Sequence, residues 1–338
     1  GRRVFMDFNR NLLPGADGKP FSIADLDDDV RTYLSQAGAN HALPIDRLRH
    51  MNPLAIELYK RYKVDITAEP LEFAVNNQHM NGGIAVDTWG RTNIAGIYAV
   101  GEAAGTHGAT RPGGSALNAG QVFGTRVAEH IAASGRAQVA SNANATAQTE
   151  VAVTDITAVL NADSAYRLQD IRADVQARMS DHAGILCNAK DVAQARLKAE
   201  ELNKDIRRKG IRITRPSEAG RVLQWQQMAL ASEAVLVALD HYISQGGGSR
   251  GARAICDPDG GSLPESRSGA LPDVRFRPER DEDMQLQILV RLDSDKFVIA
   301  ARPNRPLDTN ATSFFEREWP AWLTGEIFDL DEKGNPSC

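Results

Sequence analysis

The sequence predicts a mixed protein of the α/β or α+β class, in which short strands and helices precede a helical C-terminal domain. The apolar runs at 4–8 and 97–100 have the length and composition of strands. A helix rich in glycine and alanine is expected after the second run, beginning at Ser115. Beyond Asp163, apolar residues recur at helical spacing along three successive segments. No internal repeat is visible, so we expect several different domains or parts of domains.

Composition limits the function classes. The 338 residues are 42% hydrophobic and 25% charged, as in a globular protein, and the net charge of −5 gives no reason to expect a nucleic-acid partner. Cys187, Cys256 and Cys338 are far apart, so neither an iron–sulfur ligand set nor a disulfide framework is expected. The histidines lack metal-binding spacing, and we predict no metal. No membrane span or signal peptide is visible, and a cytoplasmic location is expected.

Residues 1–80 form the first predicted segment. It begins with the strand at 4–8 and continues to a helix that opens at Asn52-Pro53, with asparagine as N-cap and proline in the first helical position. The apolar stripe of this helix is expected at Leu54, Leu58 and Tyr62. A strand at 70–75 then leads into a loop that contains His79.

Residues 81–134 form the second segment. A short strand at 84–87 and a turn at 88–92 precede the run at 97–100, which we expect to be a strand buried on both faces. The helix after Ser115 is expected to present one apolar side, formed by Leu117, Phe123, Val127 and Ile131. Its small residues would let it lie close to a sheet.

Residues 135–160 are short of large apolar side chains and are predicted to be a linker. Residues 161–338 are predicted to form a helical domain with a terminal β-hairpin. Its three helices are marked by apolar residues near 168–179, 192–206 and 222–243, and Gly246-Gly247-Gly248 ends the third. The hairpin is expected to pair 284–291 with 296–301.

Glu102 follows an apolar strand within the run Gly101-Glu102-Ala103-Ala104-Gly105. Ligands of open α/β sheets bind outside the carboxyl ends of strands, where a carboxylate suits ligand hydroxyls because it accepts their hydrogen bonds. The small neighbours of Glu102 would let a bulky cofactor approach the backbone. The alternative is a helix-capping or solvated glutamate.

Gly114, Ser115, Ala116 and Leu117 stand where the glycine- and alanine-rich helix begins. The first backbone N–H groups of a helix lack intrahelical acceptors, and the helix dipole adds partial positive charge there. A helix aimed at the N1 and O2 edge of a flavin would stabilise its reduced form. An ordinary N-cap serine is the alternative.

Arg111 and His79 are the candidates for holding a substrate. Pro112 restricts the backbone of Arg111 and the following glycines remove side-chain bulk, so the guanidinium could present its planar fork to a carboxylate. His79 lies in a polar run before Gly82-Gly83 and could donate a hydrogen bond to a carbonyl or carboxylate. For both residues the alternative is a surface or capping role, and His107 is a weaker candidate in the Arg111 loop.

Taken together, these residues resemble the flavoprotein subunits of succinate dehydrogenase and fumarate reductase, to which L-aspartate oxidase and the adenylylsulfate reductase flavoprotein are related. The resemblance is carried, in order, by His79 with Gly82-Gly83-Ile84, Asp87 with Gly90 and Thr92, Ala99-Val100-Gly101-Glu102, His107-Gly108, Arg111, and Ser115-Ala116-Leu117. The matching motifs follow one another closely over about sixty residues, and the resemblance weakens after about residue 260.

The resemblance implies an FAD-dependent oxidoreductase with hydride transfer between flavin N5 and a small substrate. Glu102 would bind the ribityl chain, with Gly101 and the 114–117 backbone against the flavin. His79 and Arg111 would hold the substrate's carboxylate or carbonyl. Residues 1–80 would belong to the capping domain and 81–134 to a Rossmann-like FAD-binding domain.

The family's Gly-x-Gly-x-x-Gly loop follows an N-terminal strand, and no such loop is present here, because the glycines that begin at Gly246 follow a predicted helix instead. We therefore expect an N-terminal FAD-binding half on a separate chain or cleaved fragment. An electron-carrier subunit is a further possible partner. Two alternatives stay open. One is a non-catalytic assembly module. The other is adenylylsulfate reductase-like chemistry, in which Arg250, Arg253 and Arg267 would serve an anionic ligand.

Overall fold

The computed structural model describes residues 3–11, 18–74, 82–109, 115–134, 142–251, 253–262, 274–304 and 314–329. The fold is mixed α/β, as the sequence predicts. The chain divides into two compact units, and the boundary between them falls after residue 76. Within the described ranges, no helix is both long enough and apolar enough to cross a membrane.

The first unit contains two paired strands and three helices. Strand β1 (Val4–Met6) pairs antiparallel with β2 (Leu71–Phe73), and both strands are shorter than the apolar runs that predict them. The helices are α1 (Asp28–Gln36), α2 (Pro44–Met51) and α3 (Pro53–Arg61). The buried core of this unit consists of Ile45, Ile56 and Ile66.

Helix α3 begins where the sequence predicts, but its predicted apolar stripe does not face the core. Leu54, Leu58 and Tyr62 are 76%, 53% and 75% exposed. Ile56 is buried instead, and Tyr59 packs half-buried against the same core. The segment thus has apolar residues on two faces, and spacing alone could not show which face packs.

In residues 82–134, the two predicted strands are reduced to isolated bridges. Ile84 pairs in parallel with Ala104, and Arg91 pairs antiparallel with Tyr98. The prediction of a strand at 97–100 buried on both faces is wrong, since Ile97 is 49% exposed. A strand becomes buried on both faces only when further layers cover it, and none does so among the described residues.

Two helices follow in the chain. Helix α4 (Ser115–Ala133) begins at the predicted serine, and α5 (Asn142–Ala158) occupies most of the predicted linker. The α5 side chains described from residue 145 on are all exposed, and the Thr149 hydroxyl donates to the Ala145 carbonyl of the same helix at 2.7 Å. A missing apolar period therefore predicts lack of packing, but it does not exclude a helix, whose hydrogen bonds are local.

The predicted helices of the C-terminal region are confirmed as α6 (Leu168–His182), α7 (Ala189–Lys209) and α8 (Ala219–Ser244). Their facing sides form two adjoining cores, which include Ile171, Val175, Val192, Ile206, Val222 and Leu236. Gly246 follows α8 with a φ of +84°, a conformation that suits glycine and ends the helix.

A three-stranded sheet in this region was not predicted. Strand β3 (Leu186–Asn188) pairs in parallel with β4 (Ala254–Ser262), which pairs antiparallel with β5 (Arg275–Phe276). The β4 sequence contains Pro258 and two glycines, which argue against a strand when read alone.

The predicted hairpin is confirmed. Strands β6 (Leu286–Asp293) and β7 (Lys296–Pro303) pair antiparallel, with Ser294 at the turn in the left-handed region at a φ of +56°. Two short helices follow, α9 (Trp319–Thr324) and α10 (Glu326–Asp329). Trp322 Nε1 of α9 donates to Glu129 Oε2 of α4 at 2.8 Å and ties the two helices together.

Glu233 of α8 is a buried carboxyl between the C-terminal helices. It is 4% exposed and accepts a hydrogen bond from Asn203 Nδ2 of α7 at 2.8 Å. Burial raises the pKa of the Glu233 carboxyl, because desolvation of the charged form outweighs the Asn203 bond. The folded protein therefore binds more protons than the unfolded chain above the ordinary glutamate pKa, and stability falls as the pH rises through the raised value.

We expect Glu233→Gln to raise the thermal unfolding midpoint more at about pH 8 than at about pH 4, because the amide keeps an acceptor for Asn203 without a buried charge. Thermal unfolding at the two pH values measures the difference. Glu57→Gln on the exposed side of α3 is the control, with no pH-dependent gain expected. Equal shifts of the Glu233 variant at both pH values would contradict the prediction.

Candidate functional site

The predicted cofactor-binding residues that the structure describes lie in two neighbouring elements. Glu102 is exposed in a short 3₁₀ turn at Gly101–Ala103. The first turn of α4 contains Ser115, Ala116 and Leu117. The other predicted site residues, His79, Arg111 and Gly114, lie outside the described residues.

The 3₁₀ turn packs directly on α4 because each element has a glycine at the contact. A Cβ added to Gly101 would lie 3.3 Å from the Cα of Gly120, and Gly101 has a φ of +60°. That conformation favours glycine. Ser115 lies five residues before Gly120, which corresponds to about 7.5 Å along the helix axis. The turn that contains Glu102 therefore packs on α4 between one and two helical turns from its amino end.

The backbone around Gly83 holds the other side of the turn. The Ile84 amide donates to the Ala103 carbonyl at 2.9 Å, and the Gly105 amide donates to the Ile84 carbonyl at 3.0 Å. A Cβ added to Gly83 would lie 2.7 Å from both the Ala103 carbonyl oxygen and the Ala104 carbonyl carbon. Glycine is therefore required for the close approach that keeps Glu102 in place.

Asp87 organises the turn that follows. Its Oδ1 accepts hydrogen bonds from the amides of Trp89 and Arg91 at 2.8 and 3.0 Å, and its Oδ2 accepts from Arg91 Nε at 2.5 Å. Burial alone would raise the pKa of Asp87, but the hydrogen bonds from Arg91 and the backbone outweigh it and lower the pKa. Thr92 Oγ1 donates to the Ile97 carbonyl at 3.0 Å. The Asp-x-x-Gly-x-Thr motif therefore shapes this turn.

The same turn packs on α4 through a cluster that sequence reasoning missed. Gly90, at a φ of +72°, has no room for a Cβ, which would lie 2.6 Å from Val127 Cγ2. Beside it, the Arg126 guanidinium lies 4.1 Å from the centre of the Trp89 ring, and His130 lies 5.2 Å from that ring. The sequence pattern that could have predicted this cluster is the four-residue spacing of Arg126 and His130, which places both on one side of a helix that follows a tryptophan-containing turn.

The predicted apolar side of α4 is mostly exposed. Val127 is buried, but Leu117 is 81% exposed and Ile131 is 48% exposed. Val122 adds further exposed apolar surface. The stripe was predicted on the assumption that a complete sheet covers the helix, and the described residues do not supply that cover.

Known proteins match parts of this chain. Residues 25–117 match the family model described as the FAD binding domain. A fumarate reductase (CoM/CoB) subunit of Methanothermobacter marburgensis is 52% identical over 64 residues, or 19% of this chain and 12% of that protein. The L-aspartate oxidase of Streptomyces coelicolor is 30% identical over 192 residues, or 56% of this chain and 32% of that protein.

Solved structures share the fold. The E. coli quinol fumarate reductase FrdA matches with a TM-score of 0.62 and 20% identity, over 91% of this chain and 55% of that one. Mycobacterium smegmatis Sdh1 in complex with UQ1 matches with a TM-score of 0.55 and 18% identity, over 90% of this chain and 52% of that one. The chain thus spans about half the length of these solved relatives and a third or less of the two curated ones.

The matches are to flavoproteins, and residues 25–117 resemble their FAD-binding domain. The chain is similar in sequence to L-aspartate oxidases and to a fumarate reductase subunit, and it has the fold of the fumarate reductase and succinate dehydrogenase flavoproteins. The resemblance predicted from the sequence is confirmed, and FAD is the cofactor that the matches indicate.

The residues at the junction fit FAD. A Cβ added to Gly120 would have nothing within 4 Å, so there is open space beside α4 at this point, and the exposed Glu102 offers acceptors for hydroxyl groups. The first turn of α4 contains no acidic residue that would cancel the positive end of the helix dipole. Across the described ranges, no three His, Cys, Asp or Glu side chains are grouped as metal ligands would be.

Proposed function

We propose that the chain is the C-terminal half or subunit of an FAD-dependent oxidoreductase acting on a small anionic or carbonyl substrate. The observation that supports this most strongly is the contact between the Gly101–Ala103 turn and Gly120, which packs the turn of the exposed Glu102 on the first half of α4. FAD, when bound, supplies hydride exchange at its N5 atom. The chain's own residues contribute placement and electrostatics.

Each described residue of the junction has a distinct proposed role. Glu102 accepts hydrogen bonds from ribityl hydroxyls, and Gly101 allows the backbone to come close. In this proposal the backbone of Ser115, Ala116 and Leu117 faces the isoalloxazine ring, and Gly114, which precedes them in the sequence, is proposed to contribute to the same contact. The partial positive charge at the amino end of α4 stabilises negative charge on that edge of the ring system.

His79 and Arg111 are proposed to hold the substrate. The guanidinium of Arg111 matches the two oxygens of a carboxylate, and His79 donates a hydrogen bond to a carboxylate or carbonyl oxygen. Both residues adjoin the described junction in the sequence: Gly82 follows His79 closely, and Ala109 closely precedes Arg111.

The proposed partner is an N-terminal FAD-binding half that contains the dinucleotide loop, on a separate chain or a cleaved fragment. The exposed apolar face of α4, with Leu117 at 81% and Ile131 at 48% exposure, supports such a partner. In a doubly wound fold, this face of a helix is covered by the sheet. An electron-carrier subunit is a further proposed partner.

The proposal is tested by isolating the chain with its natural partners. We expect mass spectrometry to identify an N-terminal flavoprotein half. We also expect the complex to absorb at about 450 nm, because bound FAD is a flavin chromophore. Substrate oxidation or reduction is then assayed with small carboxylates and carbonyl compounds. A colourless complex would contradict the proposal and favour a non-catalytic assembly module.

The arginines of the C-terminal region lend no support to adenylylsulfate reductase-like chemistry. Arg250 forms an ion pair with Glu279 at 2.6 Å, and Arg253 Nε donates to the Ala183 carbonyl at 3.3 Å. Both guanidinium groups are therefore engaged within the protein. Arg267 lies outside the described residues.

A further inference from the structure

We infer that the turn at Arg250–Arg253 positions the segment 105–109, which contains His107 and precedes Arg111 in the sequence, and that Gly251 is the positioning residue. The inference rests on the proposed function, because that function makes this segment part of the substrate site. Its structural basis is a close backbone contact between Gly251 and Ala109.

The turn is held firmly by its own hydrogen bonds. The Arg250 amide donates to the Arg253 carbonyl at 3.0 Å, and the Arg253 amide donates to the Arg250 carbonyl at 3.0 Å. Ser249 Oγ donates to the Arg277 carbonyl at 2.7 Å and accepts from the Ile255 amide at 2.9 Å. The base of the turn is thereby tied to strand β4 and to the segment that follows β5.

The side chains of the turn add two further anchors. Arg250 pairs with Glu279 at 2.6 Å, and the Arg250 side chain is only 21% exposed. Arg253 Nε donates to the Ala183 carbonyl, which lies just after α6. The turn therefore belongs to the framework of the C-terminal helices and sheet, and it is a firm support for whatever packs on it.

Gly251 contacts Ala109 without room for a side chain. A Cβ added to Gly251 would lie 2.3 Å from the Ala109 carbonyl oxygen and 3.2 Å from the Ala109 carbonyl carbon. These are backbone atoms, so they cannot move aside as the end of a flexible side chain would. Gly108, next to Ala109, has open space around the position of a Cβ, so the constraint is local to Ala109.

This contact links the C-terminal framework to the substrate side of the site. In the sequence, Ala109 is two residues after His107 and two residues before Arg111. A displacement of about 1 Å at a group that positions a substrate can lower the rate by up to about 100-fold. Pushing Ala109 away from Gly251 should therefore disturb substrate binding more than FAD binding, since Glu102 and the α4 amino end are held by separate contacts.

The main test is Gly251→Ala in the complete flavin-loaded protein. We expect the KM for substrate to rise about tenfold or more, with a smaller change in kcat and an unchanged FAD content. Backbone amides at 105–109 should exchange hydrogen faster. The matched control is Gly96→Ala. Gly251 and Gly96 both have a positive φ, +55° and +81°, but Gly96 has nothing within 4 Å of the added Cβ. The control therefore reproduces the backbone strain without the clash.

Ser249→Ala is the second variant, and it adds no atom that could prevent folding. It removes the hydroxyl that ties the turn to Arg277 and Ile255. We expect the same KM increase in a weaker form, about threefold, as for the loss of an ordinary hydrogen bond. Amide exchange at 105–109 should again be faster than in the parent protein.

An unchanged KM in Gly251→Ala would overturn the inference, as would a KM increase that appears only together with loss of FAD. Hydrogen exchange separates this inference from the proposed function. If the protein proves to hold no FAD, the proposed function fails, yet faster exchange at 105–109 in Gly251→Ala but not in Gly96→Ala would still support the positioning contact. Unchanged exchange in the Gly251 variant would overturn that contact.

Discussion

Gly83→Ala is expected to destabilise the second unit by about 1–3 kcal/mol, the usual effect of forcing extra atoms into a packed site. It should also weaken FAD binding. The added Cβ would lie 2.7 Å from the Ala103 carbonyl oxygen and from the Ala104 carbonyl carbon. Because Ile84 and Ala104 are bridged at this point, separating the two segments displaces the turn that contains Glu102. Denaturant unfolding and FAD titration measure the two effects.

The neighbouring residue provides a matched control. Gly82 has nothing within 4 Å of an added Cβ, so Gly82→Ala changes the same motif without the clash. We expect its unfolding free energy and FAD affinity to stay close to those of the parent protein. Equal behaviour of the two variants would show that the close approach at Gly83 does not hold the turn.

Glu102→Ala is expected to weaken FAD binding by about 10- to 100-fold, because hydrogen bonds to a charged group contribute about 1.5–3 kcal/mol. Glu102→Gln should lose less, since its amide oxygen still accepts a hydrogen bond from a hydroxyl. Titration of the flavin-free protein with FAD, followed by flavin fluorescence, gives the dissociation constants. Unfolding should change little, because Glu102 is exposed.

Glu150→Ala is the control for loss of an exposed negative charge, since Glu150 lies on the exposed helix α5. We expect its FAD affinity to match that of the parent protein. An unchanged dissociation constant in both Glu102 variants would remove Glu102 from the proposed cofactor site, and an equal loss in Glu150→Ala would indicate a general charge effect.

Local patterns predicted several elements well. They include the start of α4 at Ser115, the end of α8 before Gly246 and the hairpin turn at Ser294. Each of these depends on residues that are close together in the sequence. The neighbourhood of Glu102 and α4 was predicted for a similar reason. The strand-like run is followed closely in the sequence by the helix, and the turn at the end of the run packs on that helix. Glycine at both contact positions, Gly101 and Gly120, permits the close packing.

Burial was predicted poorly, as the two apolar stripes show. Leu58 of α3 and Leu117 of α4 were both expected to face a core, and both are exposed. Spacing shows that residues share a face of a helix, but it does not show what lies opposite that face. The run at 97–100 was misjudged for the same reason, since its burial depends on layers that the local sequence does not specify.

The amino-acid sequence by itself determined the starts and ends of the main helices, the hairpin and the family resemblance. These depend on backbone conformation and side-chain type at neighbouring positions. Only the tertiary structure decided that Gly83 meets Ala103, that Gly90 meets Val127 and that Gly251 meets Ala109. Such contacts join segments distant in the chain, and the need for glycine arises from the backbone or side chain on the other side of the contact.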